Sequence, residues 1–381
     1  MKKVFISVGE VSADIYASYI VKNLKEKFHF SGIAGPKMLQ AGIEPISKID
    51  DISVVGITET FSKYKHIKKV FKASIKAIKD CDAIIVVDFP GFNIKLIQEA
   101  KKQGKRVVYF ISPQIWAWHY SRIYKIVKNT DLMISILPFE EDYYRPFISD
   151  SFRFEYVGHP LVDIVKPQTS LEEFTLRLGL PWKRRFIGLL PGSRESEVKV
   201  LLPILLQSAE LLRRSLGDVH FLIPVPDNVL SIVLDMVKPY KLPLKVITSE
   251  CMENPSHEVM RHSVFSIIAS GTATLEAAIV GNPFLLVYKV SPLTFFIGKR
   301  LVKVGHLGLP NIIAREEVVK ELLQERCNPV EISNSVLEYL YNPDKYNRMK
   351  EKLSEVKSNL GGDRAISRVT QLIENFLTNI L

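Results

Sequence analysis

Ala83-Ile84-Ile85-Val86-Val87-Asp88-Phe89-Pro90-Gly91-Phe92-Asn93 sets a run of apolar, mostly β-branched residues directly before an acid and a Phe-Pro-Gly turn. A strand apolar on both sides is covered on both faces, and such strands belong to parallel sheets joined through helices. The same pattern recurs on either side. Val4–Val8, Gly32–Ala34, Val107–Ile111, Leu132–Ile136 and Phe154–Val157 read as strands, and Ile15–Phe28, Ser62–Lys79 and Ile94–Gln103 carry helical period between them. The series then restarts with Phe186–Leu190, Val219–Ile223, Leu244–Ile247, Val264–Ala269 and Phe284–Val287. The expected fold class is α/β, two tandem Rossmann-like doubly wound parallel sheets with a cleft between them.

The chain has 381 residues, more than one hydrophobic core usually supports, which also favours two domains. Gly158-His159-Pro160 and Lys166-Pro167-Gln168-Thr169-Ser170 separate the two series, so the expected domains are 1–166 and 167–342. Residues 343–381 lack strand signal and read as two helices packing back on the first domain. With 47% apolar and 24% charged residues, the chain is neither disordered, collagen-like nor of low complexity. Cys81, Cys251 and Cys327 lie far apart, which excludes a readable disulfide framework or zinc finger and suits a reducing cytoplasm. The apolar run after Met1-Lys2-Lys3 is short and broken by Gly9-Glu10, a first strand rather than a signal peptide. No stretch is apolar for the 18 or so residues that a membrane span needs. A net charge of +10 points to anionic partners: phosphate, acidic lipid or nucleic acid.

In doubly wound sheets ligands bind beyond the carboxyl ends of the strands, so the residues that follow each strand are the informative ones. Val264–Ala269 runs into Ser270-Gly271-Thr272-Ala273-Thr274, whose small residues admit a close ligand at a helix start, a diphosphate site by its free amides and dipole. Glu276 in that helix could accept from ribose hydroxyls. The alternative makes Thr272 a cap and Glu276 an answer to the dipole. Phe186–Leu190 leads into Pro191-Gly192-Ser193-Arg194, where the guanidinium either completes a diphosphate clamp or pairs with Glu197 at the surface.

The first strand ends in Gly9-Glu10-Val11-Ser12-Ala13-Asp14, without the spaced glycines of a dinucleotide fingerprint, which argues against a nicotinamide oxidoreductase. Glu10, Ser12 and Asp14 suit hydroxyl recognition, with a helix-capping role for Ser12 or Asp14 as the alternative. Asp88, flanked by Phe and Pro, would be partly desolvated, as a general base working on a sugar hydroxyl requires, and Asn93 could cap the next helix. Ser112-Pro113-Gln114-Ile115-Trp116-Ala117-Trp118 either walls an apolar or sugar site or packs on a neighbouring loop. His119 has no partner at ligand spacing, so no metal is expected.

Ser62–Lys79 carries seven lysines and no acid. Ile67, Val70, Phe71 and Ile75 share one arc and Lys68 and Lys72 lie opposite. An apolar stripe alone also fits a core-facing helix, but an unrelieved lysine face suits anionic headgroups. Phe295 and Phe296, ahead of Lys299-Arg300, make a second apolar and basic segment. Membrane contact through these residues is the expectation; nucleic acid competes, but no motif for it appears.

Taken in order, the first-loop and Asp88 motifs, Gly35-Pro36-Lys37-Met38, Val55-Gly56-Ile57-Thr58-Glu59, Ser112–Trp118, Leu137-Pro138-Phe139-Glu140, Val157-Gly158-His159-Pro160, Leu190–Arg194, Ser270–Glu276 and Leu309-Pro310-Asn311 resemble the lipid-A-disaccharide synthase family over nearly the whole chain. The resemblance implies a GT-B glycosyltransferase that moves 2,3-diacylglucosamine from UDP to the 6-hydroxyl of 2,3-diacylglucosamine 1-phosphate, inverting the anomeric centre to give a β(1→6) disaccharide phosphate and UDP. It implies Asp88 as base, and Glu10, Ser12, Asp14, Asn93 and Asn311 as acceptor-side or functional residues. For the UDP site it implies Gly192, Ser193, Arg194, Ser270, Gly271, Thr272 and Glu276. It further implies no cofactor, a peripheral place on the cytoplasmic face of the inner membrane, and a homodimer with exchanged C-terminal parts as one assembly. The chain departs from the family pattern at Ala13, where glycine is usual, and at Gly91, where a second aspartate is usual; the latter leaves Asp88 as the base candidate. Another UDP-sugar enzyme, such as a 2-epimerase, and a non-catalytic nucleotide-sugar binder at the membrane are the rival functions.

Overall fold

The computed structural model describes residues 1–52, 57–182, 184–291 and 305–379, with the backbone alone described for 57–64. The chain divides into two compact units, Met1–Asp163 with Leu360–Leu381, and Ile164–Asn359. The first unit holds seven strands, β1 (Lys2–Val8), β2 (Phe28–Ala34), β3 (Glu44–Lys48), β4 (Ala83–Val87), β5 (Arg106–Phe110), β6 (Leu132–Ser135) and β7 (Arg153–Tyr156). They form one sheet in the order β3-β2-β1-β4-β5-β6-β7, every pair parallel. All of β4 and the last four residues of β5 are buried, because helices cover both faces and leave polar side chains no solvent.

The second unit repeats the plan with β8 (Arg185–Leu190), β9 (Val219–Pro224), β10 (Leu244–Ile247), β11 (Phe265–Ala269), β12 (Phe284–Tyr288) and β13 (Glu321–Leu323). Its order is β10-β9-β8-β11-β12-β13, again all parallel. In each sheet the strand order reverses beside the first strand, between β1 and β4 and between β8 and β11. The loops that leave these four strands therefore flank a switch point, where doubly wound sheets bind ligands.

Two sequence expectations need correction. The tail is not one body on the first domain. Pro343–Asn359 packs with the second unit, on the helices Thr272–Val280, Leu309–Ala314 and Pro329–Leu340, and Ala365–Thr378 alone joins the first, against the helix Val11–Leu24. There the Lys2 ammonium donates to the Leu377 and Thr378 carbonyls, a cation at a helix C-terminus. The Asp163 carboxylate accepts from the Arg364 and Ile366 amides at its other end.

The second correction concerns the helix Ile57–Lys79. Val70 and Ile78 are buried in the core of the first unit, and Ile67, Phe71 and Ile75 pack against it, Phe71 edge-on to Phe92 at 5.4 Å. The apolar stripe is thus committed to the core along Val70 and Ile78, with Ile67, Phe71 and Ile75 partly buried beside it, rather than free to insert as a whole. Lys65, Lys68, Lys69, Lys72, Lys76 and Lys79 remain exposed. Phe295 and Phe296 lie outside the described residues, as do Val55 and Gly56 of the family motif.

Candidate functional site

Asp88 is the first residue beyond β4, half-buried and held in the left-handed region with φ 46°, followed by Phe89 with φ 50°. Two such residues in succession cost on the order of 1–3 kcal/mol each unless the surroundings fix them. Here they do. The Asp88 amide donates to the Phe110 carbonyl at 3.0 Å. Its carbonyl accepts from Asn93 Nδ2 at 2.8 Å and from the Tyr109 hydroxyl at 2.9 Å. Asn93 also donates to the Val87 carbonyl at 3.2 Å and accepts from Ser7 Oγ at 2.8 Å. The Phe89 ring lies over the loop leaving β1, where a Cβ at Gly9 would come within 2.1 Å of it, so only glycine fits.

With its backbone clamped, the Asp88 carboxyl has no cation among the described residues to stabilise its charge. Burial, and then the charge of exposed Glu10, push its pKa up to about 7, against the pull of the Phe89 amide. A carboxyl poised there exchanges protons near neutrality, as a general base must.

The other first-loop residues divide. Glu10 stands at the N-cap of Val11–Leu24 without capping it, and Ser12 lies half-buried in the first turn. Asp14 is buried and accepts from the amides of Gly35 at 3.0 Å, Lys37 at 2.8 Å and Met38 at 3.1 Å. It caps the helix Pro36–Ala41, a different helix from its own, and so helps build the loop. Asn93 likewise spends its amide on Asp88 and Ser7. Asn311, in the second unit, is fully buried. It donates to the Val319 carbonyl and to Glu321 Oε1, both at 2.8 Å, and accepts from the Val318 and Val319 amides. The capacity of Asn311 is used in full and most of that of Asp14 and Asn93, so these three side chains are tied into the framework of their loops.

In the second unit the helix Thr272–Val280 begins at the end of β11 with Gly271 as N-cap and no side-chain cap. Thr272 does not cap it; the hydroxyl of Thr274 turns back to the Gly271 carbonyl at 2.8 Å. The opening amides beside Ser270 are left for another acceptor, and Gly271 and Thr272 are exposed. Glu276, one turn on, has its carboxylate 3.6 Å from His257 Nε2, a neighbour that sequence spacing did not indicate.

Beyond β8, Gly192 has φ +105°, and a Cβ there would meet Glu197 Oε2 at 2.5 Å. Ser193 follows, its carbonyl held by Asn228 Nδ2 at 3.0 Å. Arg194 is 60% exposed, with its guanidinium 3.6 Å from Glu197 Oε1. The surface pair weighed from sequence is therefore present, and an exposed pair of this kind is worth little enough to yield to a phosphate. Among the described residues no group of three or more His, Cys, Asp or Glu side chains could hold a metal ion.

Two Rossmann-like sheets in one chain, with loops of these two kinds at their switch points, define the GT-B class of fold. The S. aureus MnaA–UDP co-structure matches at TM-score 0.66, with 14% identity, over 100% of this chain and 98% of that one, a likeness of fold. The family model described as lipid-A-disaccharide synthetase matches residues 4–376. The lipid-A-disaccharide synthase of Sulfurihydrogenibium sp. (strain YO3AOP1) is 56% identical over 385 aligned residues, 99% of each chain. That of Persephonella marina is 55% identical over 375, covering 98% of this chain and 99% of its own. The chain belongs to the lipid-A-disaccharide synthase family.

Proposed function

We propose that this enzyme transfers 2,3-diacylglucosamine from UDP to the 6-hydroxyl of 2,3-diacylglucosamine 1-phosphate with inversion, giving the β(1→6) disaccharide 1-phosphate and UDP. The observation that carries the mechanism is the clamped, desolvated Asp88. Its carboxylate takes the proton of the acceptor hydroxyl as that oxygen bonds to the anomeric carbon. The bond from that carbon to the diphosphate breaks, and the electron pair leaves with UDP. The open amides of Gly271 and Thr272 and the Arg194 guanidinium take up the charge that accumulates on the leaving diphosphate, and Glu276 accepts from the ribose hydroxyls. This assigns the positive field to protein groups and needs no metal.

The test mixes purified full chain with UDP-diacylglucosamine and the acylated sugar phosphate, with EDTA present, and measures UDP and disaccharide. Equimolar release supports the reading. Donor isomerised without acceptor would mean an epimerase, and donor bound but never consumed a binding protein.

No helix among the described residues is long and apolar enough to cross a membrane. We assign membrane attachment to the lysine face of Ile57–Lys79 by charge alone, its apolar stripe being spent on the core. Each lysine near an anionic surface contributes about 1 kcal/mol. Changing Lys68, Lys69, Lys72 and Lys76 to Glu is expected to abolish sedimentation with phosphatidylglycerol vesicles at about 0.1 M salt. Undiminished sedimentation would refute the assignment.

A further inference from the structure

Two motifs, Ser112–Trp118 and Leu137–Glu140, take no part in the mechanism above, and they meet at a buried acid. Glu140 is 2% exposed. Trp116 Nε1 donates to its Oε1 at 3.1 Å, and the Ser135 hydroxyl contacts its Oε2. Ser135 Oγ also accepts from the Leu137 amide at 3.2 Å and faces the Leu137 carbonyl at 3.1 Å. A serine hydroxyl has one hydrogen to give. If Glu140 is protonated, its own proton goes to Ser135 Oγ, the serine hydrogen goes to the Leu137 carbonyl, and the indole hydrogen to Oε1. Every group is then satisfied and no charge is buried. Ionised, Glu140 would be a buried charge with no cation paired to it among the described residues.

Burial pushes the Glu140 pKa up to about 8, against the pull of Ser135, Trp116 and the Leu137 amide, and the charge of Asp88 adds to the rise. Tyr144 is the other titratable group that reaches it, a buried phenol displaced upward chiefly by burial and therefore neutral. Glu141 and Asp142, next along the chain, sit at the surface 3.5 Å and 3.4 Å from Arg145. The loop leaving β5 is fastened twice to the segment after β6, by Trp116 to Glu140 and by Ser112 Oγ to the Tyr144 hydroxyl at 3.0 Å. β5 pairs with β4 and carries Tyr109, which holds the Asp88 carbonyl.

We propose that Glu140 is a positioning residue for the transfer: as a neutral acid it holds Trp116 and the loop leaving β5 in place, and leaves Asp88 the one charged carboxylate of the two. The proposal rests on Asp88 being the base. The active form then has Asp88 ionised and Glu140 protonated, so the rate rises with pH near 7 and falls near 8. Two acids whose surroundings push them apart in this way divide the roles between them.

The experiment measures kcat and KM of the full chain from about pH 6 to about pH 9. Glu140→Gln keeps an acceptor for the indole and gives its amide hydrogen to Ser135 Oγ. It is expected to hold kcat within about threefold at neutral pH and to lose the alkaline fall. Glu140→Ala is expected to lower kcat about 10- to 100-fold with the donor KM unchanged. An alkaline fall in Glu140→Gln identical to that of the wild type overturns the proposal, as does a wild-type profile in Glu140→Ala. Should the alanine variant not fold, tryptophan fluorescence titrated without substrate decides. A transition near pH 8 in the wild type that is absent from Glu140→Gln supports the latch, and equal transitions overturn it. Undiminished turnover in Asp88→Asn would overturn the base reading beneath the proposal. The fluorescence comparison, needing no substrate, separates that failure from a failure of the latch itself.

Discussion

At the carboxyl edge of the first sheet, the polar side chains around Asp88 spend their hydrogen bonds on one another; at the carboxyl edge of the second, the corresponding groups are left open. Asn93, Ser7 and Tyr109 are buried, Ser7 donating to Asn93 and both Asn93 and Tyr109 to the Asp88 carbonyl, while the Asp88 carboxyl is pushed toward neutrality. Across β8 and β11 the helix amides lack a side-chain cap, and Arg194 rests in a loose surface pair. Rigid desolvation suits proton transfer, where the environment must be set before the substrate arrives. Open amides and a hydrated guanidinium suit a charged ligand that brings its own oxygens.

The sharpest way to break this contrast is Asp88→Asn. We expect kcat to fall about 10²- to 10⁴-fold, with UDP affinity by calorimetry unchanged. The folded pKa of Asp88 lies above the usual carboxylate value of about 4, so its stabilising contribution is complete below that pH and is lost as pH rises through about 7. The amide escapes that loss. Asp88→Asn should therefore unfold at higher denaturant than the wild type at pH 8, by about 1–3 kcal/mol, the difference closing toward pH 4. An inactive variant that is also less stable at pH 8 would mean that the carboxylate is not desolvated.

Arg194→Ala probes the open edge. UDP should bind about 10- to 100-fold more weakly, the worth of a charge-assisted contact, while folding stability changes by less than about 0.5 kcal/mol because the pair with Glu197 is exposed. Unchanged UDP affinity would mean that the guanidinium stays with Glu197 and that the amides alone grip the nucleotide.

The sheets were legible because buried parallel strands are mostly apolar; Ala83–Val87, buried throughout, falls at the expected residues, as does the more exposed Leu244–Ile247 with its one lysine. β3 and β13 were not. Glu44-Pro45-Ile46-Ser47-Lys48 is an edge strand, mostly exposed, whose proline and charges carry no apolar run, and β13 is three residues long. Asp88 and Arg194 could be found because they lie in the turns that leave strands. Glu140 and His257 could not, since their importance comes from partners distant in sequence, Trp116 and Glu276, that only folding brings near. The same limit hid how Asp14, Asn93 and Asn311 are bonded: sequence marks a polar residue in a loop, whereas geometry decides how many of its hydrogen bonds are already spent. It misassigned the Ile57–Lys79 stripe for a related reason, because a face that covers a core and a face that enters a membrane share one periodicity.

The smallest expected effect tests whether the closed edge has room for a second acid. Gly91 lies in the first turn of the helix Pro90–Lys102, and a Cβ added there meets nothing within 4 Å. An aspartate, the residue usual in the family pattern, would therefore enter without displacing Phe89 or Asn93. At a helix start it would face the positive dipole end, and it would remove the entropic cost of a helical glycine. Gly91→Asp should raise stability by about 1 kcal/mol, a shift of a few degrees in Tm. Turnover should stay within about twofold, because the new carboxylate points into open space while Asp88 keeps its clamp. The added negative charge would move the acid limb of the pH profile slightly upward, since a like charge nearby opposes ionisation of Asp88. A tenfold gain in kcat would instead show that one carboxylate is fewer than the site can use, and that the first unit's edge is less complete than its saturated hydrogen bonds imply.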